Sequence, residues 1–212
     1  MRSEPLTLGF DTSAAHCAAA LLSGDRVIAA RTEEMTRGQA ERLFPLLEEV
    51  LTEGGATWAD LSRIGVGTGP GNFTGIRIAV SAARGLGLSL KVPVLGVTSF
   101  EALALDLPGG TIATVAAPRD RIYVQTGGDD PRLIALETLE DEGLPRGATW
   151  VGAPADDCAD RLAGQATAPR HPLAEAIARI AARKTPGPAP APLYLRPADA
   201  APARDTPPVI VP

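Results

Sequence analysis

Lysine, cysteine and histidine each occur only twice in this 212-residue chain. Cys17 and Cys158 sit in unrelated contexts with no CxxC spacing. That excludes a disulfide framework and fits two buried thiols in a reducing cytosol. His16 and His171 are far apart and in no ligand spacing, so both read as structural. The absence of HExxH, GxSxG and Ser-His-Asp patterns removes the common hydrolase signatures. No apolar run approaches the roughly 20 residues that span a bilayer. The opening Met1-Arg2-Ser3-Glu4-Pro5 is polar, unlike a signal peptide, so the expectation is a cytoplasmic protein with no membrane partner. A basic excess is missing too: the net charge is −5. That argues against gripping nucleic acid unaided, though it leaves room for a local basic patch. Scarce lysine beside plentiful arginine and alanine reads as compositional bias.

What is present is a chain with 45% hydrophobic residues, ordinary for a globular protein and enough for one core or two modest lobes. Leu6 to Phe10, Ala14 to Leu22 and Arg26 to Arg31 read as three consecutive strands with tight turns, one at Ser23-Gly24-Asp25. Thr36 to Glu53 has a helical period, with Leu43, Leu47 and Val50 on one face and Gly54-Gly55 as a stop. Pro45 lies inside it and predicts a kink or break, at a cost of about 3 kcal/mol. Arg63 to Gly67 is a fourth strand, Thr74 to Leu90 a helix, Val92 to Val97 a fifth strand and Ser99 to Leu105 the start of a third helix. The order β-β-β-α-β-α-β-α is that of a ribonuclease-H-like lobe. Further on, Thr111 to Ala116, Ile122 to Thr126 and Ala148 to Gly152 read as strands and Leu173 to Arg183 as a helix. From Pro186 onward the chain holds nine of its 20 prolines, which predicts an extended or disordered tail.

Three features have chemical readings. Asp11-Thr12-Ser13 ends a strand, where a carboxylate and hydroxyls suit Mg²⁺ and phosphate oxygens; a turn in which Asp11 and Ser13 bond local backbone donors is the simpler reading. The loop Gly67-Thr68-Gly69-Pro70-Gly71-Asn72 joins a strand to a helix N-terminus, a place that favours anions. It lacks the Gly-Lys-Ser/Thr of a Walker loop and the third glycine of a dinucleotide fingerprint. A nucleotide site and a close-packed connection both remain open for it. In the following helix, Ile76, Val80, Ala83 and Gly87 share a face flanked by Ala79, Ala82 and Gly85. Such small residues suit packing on the protein's own sheet or a helix–helix contact with a partner.

The segment Gly67-Thr68-Gly69-Pro70-Gly71-Asn72-Phe73-Thr74-Gly75-Ile76-Arg77 resembles the TsaB family, which carries a similar Gly-Pro-Gly-Ser-Phe-Thr-Gly-Leu-Arg run. Supporting echoes are Gly9-Phe10-Asp11-Thr12-Ser13, Ala40-Glu41-Arg42-Leu43-Phe44-Pro45, Pro93 to Leu103, and Pro192-Leu193-Tyr194-Leu195-Arg196-Pro197. Two departures stand out. Gln39 replaces a histidine common in the family, and Ala116-Ala117-Pro118 with Arg121-Ile122-Tyr123 replaces an Asp-Ala-Arg…Glu-Val-Tyr pattern.

The resemblance implies an α/β, actin-like (ASKHA) fold of two lobes: residues 1–104 with partner-binding helices, and 105–212 as a reduced second lobe with the proline-rich tail. It implies a non-catalytic scaffold that pairs with the catalytic paralogue TsaD and helps dock the ATPase TsaE, where ATP is expected. The assembly places threonylcarbamoyl on the tRNA adenosine beside the anticodon, with tRNA contacted indirectly by this subunit and a homodimer open to it when alone. The catalytic relative holds a metal through two histidines four apart; the matching positions here are Ser99 and Leu103, and leucine cannot ligate. The partner surface so implied is Gln39, Leu43, Leu46, Val50, Phe73, Ile76, Ala79, Val80 and Ala83. Asp11, Thr12, Ser13, Gly69 and Gly71 would be a vestigial phosphate site, with no catalytic residue and no metal. The rival is an actin-like ATPase or small-molecule kinase with its own nucleotide site, although residues 105 to 212 offer no convincing second phosphate motif. A metal-dependent peptidase is a third reading with little chemical basis.

Overall fold

The structure, a computed structural model, describes residues 4–195. Met1 to Ser3 and the chain from Arg196 onward, including most of the proline-rich tail, lie outside the described residues. In the first sheet, β1 (Leu6–Asp11), β2 (His16–Ser23) and β3 (Arg26–Glu34) form an antiparallel meander. β4 (Leu61–Gly67) and β5 (Val94–Val97) add in parallel beside β1, giving the order β3-β2-β1-β4-β5. β2 explains its own unbroken apolar run: Cys17, Ala19 and Leu21 face one core, while Ala18, Ala20 and Leu22 face another. Helices α1 (Gln39–Glu53) and α2 (Phe73–Leu90) cover the first of these faces.

Past the short helix α3 (Ser99–Leu103), the plan repeats on a smaller scale. β6 (Ile112–Ala117), β7 (Arg121–Thr126) and β8 (Arg132–Ala135) form a second meander. β9 (Thr149–Gly152) and β10 (Gln165–Thr167) run parallel to β6, so the order β10-β9-β6-β7-β8 is that of the first sheet. A 3-10 turn, Leu136–Asp141, stands where α1 stands in the first lobe, and α4 (Ala155–Arg161) where α2 does. The core around Trp150, Ile112 and Leu139 is correspondingly smaller. No helix among the described residues is long and apolar enough to cross a membrane.

Each lobe lends its last helix to the other. Phe100 of α3 is buried against Ala113, Tyr123 and Val151 of the second sheet. α5 (Leu173–Arg183) lies on the open face of the first sheet, its Ala174 and Ala178 packed with Ala18, Ala20 and Leu22. The approach is close enough that a side chain at Gly9 would meet the Ala174 carbonyl and Ala178 amide, both 2.6 Å from its Cβ. A division at residue 104 follows the chain, whereas the packing crosses it in both directions.

The α5 bounds are those read from the sequence. The break expected at Pro45 is absent: α1 is continuous. Pro45 lies on the exposed side of the helix, so the Glu41 carbonyl it leaves without a donor faces water. The strands β8 and β10 and helix α4 were not legible from periodicity. Cys17 and Cys158 are both buried, and burial pushes each thiol up to about 11.

Candidate functional site

The carboxyl ends of β1 and β4 bring two of the singled-out motifs together. Asp11 Oδ1 accepts from the Ser13 amide, the Ser13 hydroxyl and His16 Nε2, each at 2.8 Å. Thr12 Oγ1 donates to the Gly75 carbonyl at 2.7 Å, and the Asn72 amide donates to the Ser13 carbonyl at 2.6 Å. Asn72 Oδ1 accepts from the Gly75 amide at 2.9 Å, capping α2. A Cβ at Gly67 would strike the Asp11 carboxylate, one at Gly71 the Ser13 carbonyl, and one at Gly75 the Thr12 carbonyl. Gly69 has φ +86°, a conformation that L side chains rarely adopt. These glycines therefore seat the loop against the Asp-Thr-Ser turn, where the protein's own backbone fills the space. Asp11, Thr12 and Ser13 are nearly inaccessible at 1%, 0% and 3% exposure.

His16 is the member of this cluster that sequence reasoning missed as a partner of Asp11. The hydrogen bond that its ring donates to Asp11 raises the His16 pKa above 6.5, against the opposing effect of burial. The protonated ring is thus favoured by folding. Its stabilisation is fully present below pH 6.5 and is lost as pH rises through the folded value. Denaturant midpoints should fall across that window in the native protein. In His16→Asn, which keeps a donor for Asp11 and does not titrate, this component should be flat; an unchanged slope would refute it.

A cleft of about 860 Å³ opens between the lobes. Ser13, Gln39, Asn72 and Ser99 contribute to one wall; Thr114, Ala116, Tyr123 and Leu173 contribute to the other. Among the described residues its lining holds no carboxylate, imidazole, ammonium or guanidinium. Ser99 and Leu103 both line it. Ser99 Oγ donates to the Pro70 carbonyl at 3.0 Å and its amide to the Gly69 carbonyl at 2.8 Å, so the residue ties α3 to the glycine loop.

The expected partner surface needs correction. Leu43, Leu46, Val50, Ile76, Ala79, Val80 and Ala83 are at most 3% exposed and belong to the first lobe's own core. Ile76, Ala79, Val80 and Ala83 of the α2 stripe point inward and let the helix lie close to its own sheet, whereas Gly85 is exposed. Of the expected set, only Phe73, at 44% exposure, and half-buried Gln39 reach the surface. The outward side instead carries Phe44, Arg77, Arg84 and Leu88. Phe73 stacks with Tyr194 at 5.1 Å, and Arg77 both covers Phe73 at 4.3 Å and donates to the Tyr194 hydroxyl at 3.0 Å.

Two lobes of identical strand order, facing each other over a cleft and exchanging helices, define the actin-like, ribonuclease-H-like class. The ADPNP-bound activator of 2-hydroxyisocaproyl-CoA dehydratase from Clostridium difficile shares the fold at a TM-score of 0.55 and 11% identity, over 84% of this chain and 94% of that one. Within the class, residues 27–145 match the family model described as TsaD, tRNA N6-adenosine threonylcarbamoyltransferase. The tRNA threonylcarbamoyladenosine biosynthesis protein TsaB of Buchnera aphidicola is 35% identical over 161 residues, 69% of this chain and 76% of the relative. A crystal structure from Pseudomonas aeruginosa, of an uncharacterized protein with similarity to peptidase YeaZ, superposes with a TM-score of 0.73 at 27% identity, covering 91% of this chain and all of that one. The chain belongs to the TsaB family.

Proposed function

We propose that this protein is a non-catalytic subunit in the formation of threonylcarbamoyladenosine on tRNA, and that it works by binding and activating the catalytic paralogue TsaD and helping to dock the ATPase TsaE. The observation that carries this reading is the uncharged cleft. Phosphoryl and acyl transfer both require groups that hold a metal, move a proton or neutralise developing charge. The walls here offer hydroxyls, amides and hydrocarbon, and the two positions aligned with the relative's metal ligands are a serine engaged with the glycine loop and a leucine. The outward side of α1 and α2, with Phe44, Phe73 and Leu88 exposed, supports the pairing part of the reading. Purified alone, the protein is expected to form no threonylcarbamoyladenosine, and adding it to the paralogue and the ATPase should raise product formation. Activity without the paralogue, or no stimulation in its presence, would defeat the scaffold role.

The rival, an ATPase with its own nucleotide site, has to use Asp11 for Mg²⁺, yet that carboxylate is buried and already accepts from Ser13 and His16. Calorimetry with Mg-ATP would favour the rival if tight binding appeared and vanished in Asp11→Ala.

A further inference from the structure

The walls of the cleft are neutral, but its lips are not. Arg37 stands between Thr36 and Gln39 on the first-lobe lip, and both neighbours line the cleft. On the other lip, Arg119 follows the lining residue Pro118 and Arg170 follows Pro169. Arg121 pairs across the β6–β7 ladder with Ala117 and lies two residues before Tyr123, so it shares the strand face that Tyr123 turns toward the cleft. Arg37, Arg119 and Arg170 are exposed and Arg121 is half-buried. None of the four forms an ion pair with a described residue, whereas Arg31, Arg42, Arg132, Arg161, Arg179 and Arg183 all do. The nearest acids in sequence are Asp120, in the same turn as Arg119, and Glu34. Arg170 borders the neighbouring pocket of His171 and lies near Asp106, so in a chain of net charge −5 it is Arg37, Arg119 and Arg121, without ionic partners, that give the opening a local field of the opposite sign.

The walls also keep hydrogen-bonding capacity. Gln39 donates to the Met35 carbonyl through Nε2, leaving Oε1 to accept; Asn72 accepts through Oδ1, leaving its amide nitrogen to donate. Thr36 and the Tyr123 hydroxyl form no hydrogen bond with a described residue. A neutral body with donor and acceptor edges and a flat face, flanked by phosphates, matches both parts. The volume falls in the range of about 300–1,000 Å³ usual for seating such a body.

We propose that the interlobe cleft binds a short stretch of single-stranded RNA directly, with one nucleotide's base and ribose on the neutral walls and the neighbouring phosphates on Arg37 and Arg121. This goes beyond the scaffold role, which assigns this chain no RNA contact, and it does not depend on the paralogue. Phosphate recognition by arginine at the lip adds a salt-dependent contribution, and the walls add base-edge hydrogen bonds from Gln39, Asn72 and the Tyr123 hydroxyl.

The test is fluorescence anisotropy of a labelled, unstructured oligoribonucleotide titrated with the full-length protein at several salt concentrations. Binding should weaken with salt, with a log–log slope of about −0.7 for each phosphate neutralised. Arg37→Glu and Arg121→Glu should each weaken binding by about tenfold and flatten that slope. Arg146→Glu, an exposed change outside the cleft lining, should leave it unaltered. Ala117→Trp, which fills the cleft from the strand face that Ala117 shares with Arg121 and Tyr123, should abolish binding while circular dichroism reports an intact fold. No binding at low salt, equal effects of Arg121→Glu and Arg146→Glu, or full binding by Ala117→Trp would each overturn the proposal. So would capture of a free mononucleotide with no binding of the RNA. Because the isolated chain is used, failure here leaves the scaffold reading standing, and failure of the reconstitution leaves this one standing.

Discussion

Leu88→Asp is expected to abolish co-purification with the catalytic paralogue and its stimulation, while leaving thermal stability unchanged. Leu88 is 84% exposed on α2, with no contact to lose inside the chain that would matter for folding. A charge placed centrally in a packed interface costs about 2 kcal/mol or more, which is about 30-fold in affinity. The contrast that makes this diagnostic is Val80→Asp. Val80 is 3% exposed in the core beneath the same helix. A carboxylate there would be buried without a partner and should unfold the protein outright, so a loss of pairing in that variant would say nothing about the surface. Pull-down with tagged paralogue, read beside a thermal melt of each variant, separates the two. Normal pairing by folded Leu88→Asp would move the contact away from the outer side of α2.

Gly9→Val should lower stability more than any surface change, and should do so by loosening the helix exchange between lobes. The new side chain would have to occupy space 2.6 Å from the Ala174 carbonyl and Ala178 amide and 2.7 Å from the Ala178 Cβ. Two of these are helix backbone, which cannot rotate aside as a flexible side chain could, so α5 must lift from β1. Overpacking of this kind costs about 1–3 kcal/mol. In a domain this size each kcal/mol moves the melting temperature by roughly 2–4 °C. Hydrogen exchange should quicken in α5 and at the carboxyl end of β1. Gly109→Val, where nothing lies within 4 Å of the added carbon, is the control and should melt with the native protein. Equal melting of the two variants would show that α5 does not seat on Gly9 as described.

The elements that sequence reading missed share a physical reason. β8 has four residues, β10 three and α4 seven, too few for a period to stand out. The inward side of α4 is made of Ala155, Cys158 and Ala159, whose hydrophobicity is faint beside Asp156, Asp157 and Asp160. The partner surface failed differently. Both α1 and α2 carry apolar residues on two sides, Leu43, Leu46 and Val50 against Phe44, and Ile76, Val80 and Ala83 against Phe73 and Leu88. Periodicity measures that a stripe exists, not which stripe the sheet takes, and the larger stripe went to the sheet. The correction leaves the helix pair as the candidate docking element and exchanges the face.

By itself, the sequence determined the things that depend on neighbours along the chain. These are the strand–strand–strand–helix order, the bounds of α5, the tight turn at Asp11-Thr12-Ser13, and the family, which the run from Gly67 to Arg77 carries. Only the tertiary structure decided what depends on segments far apart in the chain. It set His16 on Asp11, filled the glycine loop with the Asp-Thr-Ser backbone, crossed α3 and α5 between lobes, and brought Gln39 and Tyr123 to the walls of one cleft. Local periodicity follows from backbone geometry and is written in every few residues. A contact between residues 9 and 178 depends on two whole sheets being in place, and no window of sequence contains it.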